Sequence, residues 1–99
     1  MADIGITLSK GAGGEILVYA NYKSGNEPVF IERVNVMEYD SAGSAVGAYT
    51  YQLNRSVDPI PGNSLLLSKQ PSGTNVKSAT AKAYCIEIEE TVESKKLTL

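Results

Sequence analysis

Apolar side chains in this sequence recur at every second position, in short runs separated by glycine, proline and other turn-forming residues. Residues 4–8 (IGITL) show this pattern near the start of the chain, and residues 84–88 (YCIEI) repeat it near the end. A period of two places successive side chains on opposite faces of a β-strand, and no segment has the sustained i, i+3, i+4 spacing of a helix. The chain is therefore predicted to be all-β.

Turn signals delimit about seven to eight short strands. The predicted strands cover residues 4–8, 15–22, 29–39, 46–53, 64–68 and 77–89, and residues 93–99 form a last strand or a tail. Short strands at intervals of roughly 8–12 residues are typical of an antiparallel β-sandwich of the immunoglobulin-like class, with a small barrel as the alternative. Because a chain of 99 residues builds a single hydrophobic core, we expect one domain over residues 1–99.

The third predicted strand departs from strict alternation. Val34 and Val36 share one face, whereas Met37 and Tyr39 share the other. A bulge near Val36 and Met37 would reconcile the two pairs, because one extra residue switches the face of the side chains that follow. Partial cover on both faces of the strand is the alternative. Residues 40–43 (DSAG) are expected to close a hairpin, since Asp bonds its own downstream backbone and Gly tolerates positive φ.

Irregular backbone is predicted on both sides of the strand at residues 64–68. Residues 54–58 are polar and predict a loop. Residues 59–63 (PIPGN) predict a crossing or edge segment, because proline has no amide N–H for a strand ladder. Residues 70–75 (QPSGTN) predict a further turn.

The net charge and the pattern of apolar residues argue against binding to nucleic acid and against insertion into a membrane. The formal charge of −2 and the pI of about 5.0 give no positive field that would attract nucleic acid. No run of about 18 apolar residues is present, so we expect no membrane insertion. The N-terminal residues (MADIG) lack the regions of a signal peptide, and Cys85 is the only cysteine, which excludes an intramolecular disulfide. A cytoplasmic or virion-associated location is therefore favoured.

The sequence contains no recognisable set of catalytic residues. The chain contains no histidine, which removes the commonest general base and leaves Cys85 without an imidazole to generate a thiolate. Residues 11–14 (GAGG) are glycine-rich, but the Gly-Lys-Ser or Gly-Lys-Thr of a phosphate loop does not follow. The four glutamates between residues 87 and 93 lack the spacing of a calcium loop. We therefore predict no catalytic residue, no cofactor, no metal ligand, and a protein that is not an enzyme.

Three segments carry a resemblance to a known family. Residues 21–25 (NYKSG) resemble the end of an early strand, residues 34–43 (VNVMEYDSAG) a strand leading into Tyr-Asp-x-x-Gly, and residues 60–64 (IPGNS) a Pro-Gly-x-Ser before the next strand. The chain thus resembles bacterial FxLYD-type and related immunoglobulin-like or fibronectin-type-III-like domains. The resemblance implies an interaction module with no shared catalytic residues. Glu38 stands where a hydrophobic residue commonly precedes the Tyr-Asp pair of this family.

Six tyrosines accompany a single phenylalanine and no tryptophan. Because tyrosine joins an apolar ring to a polar tip, it is common at protein interfaces. Tyr49 and Tyr51 share one strand face, and we expect them to form an interaction surface. The predicted function is a non-catalytic interaction or assembly module that binds a protein partner or itself, such as a structural subunit of a bacterial or phage particle. The alternative is a carbohydrate-binding sandwich that uses tyrosines and the loops at residues 10–14, 54–58 and 70–75.

Overall fold

The structure, a computed structural model, describes residues 2–85 and 90–99 of the chain. The alternation predicted over residues 86–89 lies outside the described residues. The strands are β1 (Asp3–Lys10), β2 (Glu15–Ser24), β3 (Val29–Tyr39), β4 (Ala45–Val57), β5 (Ser64–Pro71), β6 (Ser78–Cys85), β7 (Glu90–Glu93) and β8 (Leu97–Thr98), with a short 3-10 turn at Ala12–Gly14. No helix in the described part of the chain is long and apolar enough to cross a membrane.

The strands form two antiparallel sheets that pack face to face. One sheet has the order β1-β2-β5, and the other has the order β4-β3-β6-β7 with β8 also paired to β6. The pairing of β3 with β6 joins the two halves of the chain at the centre of the larger sheet, which is the immunoglobulin-like arrangement. The predicted antiparallel β-sandwich is confirmed.

The core lies between the sheets and is built from the inward-facing set of each strand. Its fully buried side chains include Ile16, Val18, Ala20 and Tyr22 from β2, Val34 and Val36 from β3, and Ala79, Ala81, Ala83 and Cys85 from β6. These residues recur at every second position, so that one face of β2, β3 and β6 is fully buried, whereas the residues of the other face are mostly half-buried. The alternation in the sequence therefore maps directly onto the core.

The hairpin between β3 and β4 forms as the sequence predicts. Asp40 Oδ1 accepts hydrogen bonds from the backbone N–H groups of Ala42 and Ser44, each at 2.9 Å. Gly43 adopts a φ of +81°, the left-handed region in which glycine has no steric penalty. The turn chemistry of residues 40–43 thus determines where β3 ends and β4 begins.

The bulge predicted near Val36 and Met37 is wrong. The register of β3 shifts instead between Ile31 and Arg33, against both β4 and β6. It shifts again against β4 between Glu38 and Tyr39, where the extra residue, Val46, lies in β4 and leaves the faces of β3 unchanged. Beyond Arg33 the alternation is unbroken, because Val34 and Val36 face inward while Met37 lies half-buried on the outer face. The alternative interpretation, cover on both faces of β3, describes the structure.

Strand β4 is longer than predicted, and the polar loop expected at residues 54–58 is wrong for most of its length. Arg55 pairs with Ile31, and Val57 pairs with Val29 and is fully buried. Two residues of β4 lie opposite Glu32, and the second of them, Asn54, adopts a φ of +50°. Asn tolerates this conformation better than most residues, so a loop-like residue serves here as part of a β-bulge.

The remaining boundaries follow the turn residues closely. Residues 59–63 cross from one sheet to the other outside any strand, as their prolines predict. Strand β5 continues to Pro71, which pairs with Glu15 at the end of an edge strand, so the turn begins later than residue 70. The C-terminal segment is paired rather than a tail, because β7 and β8 both add to β6.

Candidate interaction surface

Strand β4 is the edge of the larger sheet and runs the length of the domain. It contains 13 residues, which span about 40 Å at roughly 3.3 Å per residue, and the longest dimension of the domain is 41 Å. Among the described residues, β4 pairs with β3 and with no other strand. Every second residue of an edge strand directs its backbone N–H and C=O away from the sheet, so β4 presents an extended row of backbone donors and acceptors.

The charges of the other edge strands are absent from β4. Arg55 is its one charged residue, and the guanidinium donates to the backbone oxygen of Leu66 in β5 at 3.4 Å. Strand β1 carries a charge at each end, β5 contains Lys69 and Pro71, and β7 has four residues of which two are glutamate. Short length, charge and proline are the usual protections of an edge against pairing with another chain. Residues 45–54 have none of these three, and the bulges of β4 lie near the two ends of this range, at Val46 and at Asn54.

The half of β4 next to the β3–β4 hairpin also exposes apolar side chains. Val46 is 52% exposed, and Tyr49 is 44% exposed although its side chain lies on the inward face, opposite Val36. Tyr51 belongs to the residues that pack against the core cluster in the described part of the chain, whereas Tyr49 does not. Exposed valine and tyrosine on an edge strand make this part of β4 a candidate contact surface.

Tyr49 and Tyr51 share one face of β4, as the sequence predicts, but their surroundings differ. Tyr51 is half-buried and packs against the core cluster. Its hydroxyl donates to Oε1 of Gln70 in β5 at 2.5 Å, which ties β4 to the opposite sheet. Burial, together with the nearby Tyr49 and Glu38, raises the pKa of the Tyr51 hydroxyl, so it remains a neutral donor near pH 7. Tyr51 is thus a structural residue, and Tyr49 is available for contact.

Glu38 is a buried residue that the sequence reasoning missed. The side chain faces inward with 2% exposure, and its Oε2 accepts a hydrogen bond from Gln70 Nε2 at 3.2 Å. Gly47 leaves the space that the carboxylate occupies, because a Cβ there would lie 2.8 Å from Glu38 Oε1. The available signal was the phase of the alternation, which places Glu38 on the same face as Val34 and Val36.

The other tyrosines do not form one exposed cluster. Tyr22 is in the core, and its hydroxyl donates to the backbone oxygen of Glu27 at 2.6 Å. Tyr84 lies under the guanidinium of Arg33, and the ring of Tyr39 is 5.2 Å from the ammonium of Lys96. Tyr19 is half-buried on the outer face of β2. Of the six, Tyr49 alone has a strongly exposed ring.

The three loops of the carbohydrate-binding alternative do not come together. Residues 10–14 and 70–75 lie at one end of the sandwich, where Glu15 pairs with Pro71. Residues 54–57 belong to β4 and pair with the start of β3, at the opposite end. Within the described residues, no group of three or more His, Cys, Asp and Glu side chains could hold a metal ion.

Comparison with known proteins gives no relative from which a function could be transferred. No family model matches the sequence, and neither a curated protein nor a solved structure matches the chain. The resemblance to FxLYD-type domains therefore stays a prediction. The function has to be argued from the surface of the molecule itself.

Proposed function

We propose that this protein is a non-catalytic assembly module whose partner is a second copy of the same chain, bound through the free edge of β4. The observation that supports the proposal most strongly is an edge strand of 13 residues that contains a single charged residue. An edge of this length without protection promotes unwanted aggregation unless a partner covers it. A structural subunit of a bacterial or phage particle would use such an edge to join its neighbours.

The sequence of β4 is compatible with pairing to itself. An antiparallel pair related by a two-fold axis at Thr50 would set Tyr49 opposite Tyr51 and Ala48 opposite Gln52. Residues 45–54 contain no charge, so no like charges oppose each other in this register. Cross-strand aromatic pairs contribute roughly 0.2–1 kcal/mol each relative to alanine pairs. The five-stranded sheet would then continue across the axis into a sheet of twice the width.

The test is the mass of the protein in solution, measured by sedimentation velocity across a wide range of protein concentration. The wild-type chain is expected to move from monomer to dimer as the concentration rises. Thr50→Lys places a charge on the exposed side of the edge and should keep the protein monomeric. Thr74→Lys is the matched control, because Thr74 is equally exposed but lies in the turn between β5 and β6.

Two results would contradict the proposal. The first is a wild-type chain that stays monomeric up to millimolar concentration, because such a chain does not self-associate. A dimer that Thr50→Lys and Thr74→Lys weaken equally would use another surface of the domain.

A further inference from the structure

A groove of about 480 Å³ runs along the free edge of β1, on the side of the sandwich away from β4. One wall is the edge of β1 at residues 4–8, and the other wall is formed by residues 92–97 of the C-terminal segment. Strand β1 pairs with β2, whereas β7 and β8 pair with β6, so in the described part of the chain no strand ladder joins the two walls. The groove therefore has a row of backbone donors and acceptors along one side.

The side chains at the bottom of the groove are apolar. Ile4 and Ile6 belong to the core and are each 4% exposed, and Val92 packs against the same cluster. Leu97 is half-buried and contributes to the opposite wall. An occupant would therefore cover apolar surface on one of its faces.

The mouth of the groove is positively charged. Lys23 crosses the outer face of β1 at Gly5, where a Cβ would lie 2.9 Å from the Lys23 Cε and 3.2 Å from its Nζ. The absence of a side chain at Gly5 is thus what lets Lys23 reach the groove, and Lys95 lines the groove from the other wall. Among the described residues, no carboxylate lies within 4.0 Å of either ammonium. Glu93 also lines the groove, but its carboxylate is 3.4 Å from the ammonium of Lys82.

We infer that this groove binds an extended acidic segment of a partner protein, which adds to β1 as a further strand. In an added strand, alternate side chains point to opposite faces. Apolar side chains would then lie against the half-buried Leu8, Val92 and Leu97, and carboxylates would lie beside Lys23 and Lys95. Strand addition to a free edge is an established mode of peptide recognition, in which backbone hydrogen bonds give affinity and alternate side chains give specificity.

This surface is separate from the β4 edge, so the inference does not depend on self-association. A lysine that crosses an edge strand also protects it from pairing. The two roles differ in their outcome, because a protective lysine leaves the edge unpaired with any strand, whereas the proposed site binds an acidic strand. Binding of peptides with opposite charge distinguishes the roles.

The experiment uses a fluorescein-labelled peptide of three Glu-Val repeats and measures its anisotropy with the full-length protein. We expect saturable binding that weakens with added salt and is at least about tenfold tighter than binding of the matching Lys-Val peptide. Joint replacement of Lys23 and Lys95 by alanine should weaken binding roughly 5- to 20-fold, whereas Lys77→Ala, on an exposed residue outside the groove, should not. Methylation of alternate peptide amides should abolish binding, because it removes donors to the β1 edge.

Gly5→Ala tests the placement of Lys23 without removing its charge. The added methyl group would displace the end of the lysine, so we expect weaker binding of the Glu-Val peptide with an unchanged unfolding transition. Three results would overturn the inference: no saturable binding, equal binding of acidic and basic peptides, or binding that amide methylation leaves intact. Equal competition by inorganic polyphosphate would also overturn it, since that result indicates a simple anion site.

Discussion

The side-chain amide of Gln70 in β5 donates to the buried carboxylate of Glu38 in β3, with Nε2 3.2 Å from Oε2. This hydrogen bond joins the two sheets between residues that are 32 positions apart in the chain. The Oε1 atom of the same amide group accepts a hydrogen bond from the Tyr51 hydroxyl. A hydrogen-bonded series of three side chains therefore connects the edge strand β4 to the middle of the sandwich.

Replacement of Gln70 is predicted to destabilise the fold. Gln70→Leu would leave the buried Glu38 carboxylate without this donor, and an unsatisfied buried group costs about 1–3 kcal/mol, more if it is charged. Chemical denaturation should show the loss as a lower midpoint. Ser68→Ala is the matched control on the same strand, because Ser68 Oγ is buried and has no hydrogen-bond partner among the described residues. That variant should be neutral or slightly more stable, and an equal loss in both variants would show that the Gln70 hydrogen bonds are unimportant.

Gly47→Ala is predicted to destabilise the fold by about 1–3 kcal/mol through overpacking. The new Cβ would lie 2.8 Å from Glu38 Oε1 and 3.2 Å from the ring of Tyr49. Gly5→Ala is the control, since its Cβ meets the flexible end of Lys23, which can move into solvent. Thermal unfolding of the two variants measures the difference. Equal stability of both proteins would mean that the space beside Glu38 is not needed.

Tyr49→Ser and Tyr51→Ser are predicted to have different effects. Tyr49 is exposed at the proposed dimer contact, so its replacement should weaken self-association in sedimentation velocity and change the free energy of unfolding by less than about 0.5 kcal/mol. Tyr51 packs on the core and bonds Gln70, so its replacement should cost about 2–3 kcal/mol of stability. Loss of folding in the Tyr49 variant would place that ring in the core instead.

The raised pKa of Tyr51 predicts a loss of stability in alkaline solution. The unfolded chain ionises Tyr51 at its ordinary pKa of about 10, whereas the folded chain holds the proton to higher pH. The contribution of Tyr51 to stability is therefore fully present below pH of about 10. It is lost as the pH rises from there through the higher pKa of the folded chain. The free energy of unfolding of Tyr51→Phe should fall less steeply than that of the wild type above pH of about 10. Parallel curves would exclude Tyr51 as the source.

The register of the proposed dimer predicts a specific disulfide. Thr50→Cys would place two thiols opposite each other across the two-fold axis, and the native Cys85 is buried and would not compete. Mild oxidation should give a covalent dimer much faster than it does for Thr74→Cys. Equal rates for the two variants would argue against a two-fold axis at Thr50.

Much of the fold follows from the sequence because its causes are local. The alternation of apolar residues and the Asp40 turn give β3 its observed limits, Val29–Tyr39. The sequence did not predict where β4 ends, because an asparagine such as Asn54 fits a loop as well as it fits a β-bulge with positive φ. The phase of the alternation indicates that Glu38 faces inward, but no local pattern reports its hydrogen bond to Gln70 in the other sheet. The difference between Tyr49 and Tyr51 likewise depends on a non-local contact, the hydrogen bond of Tyr51 to Gln70.

Amide hydrogen exchange along β4, followed as the protein concentration rises, tests the pairing of β4 with its own copy most directly. In the proposed dimer, the amides that point to the free edge form hydrogen bonds, so every second amide between residues 46 and 53 should exchange more slowly at high concentration. The amides already bonded to β3 serve as the internal reference. Exchange along β4 that does not change while the mass of the protein doubles would show that the chain assembles through another surface.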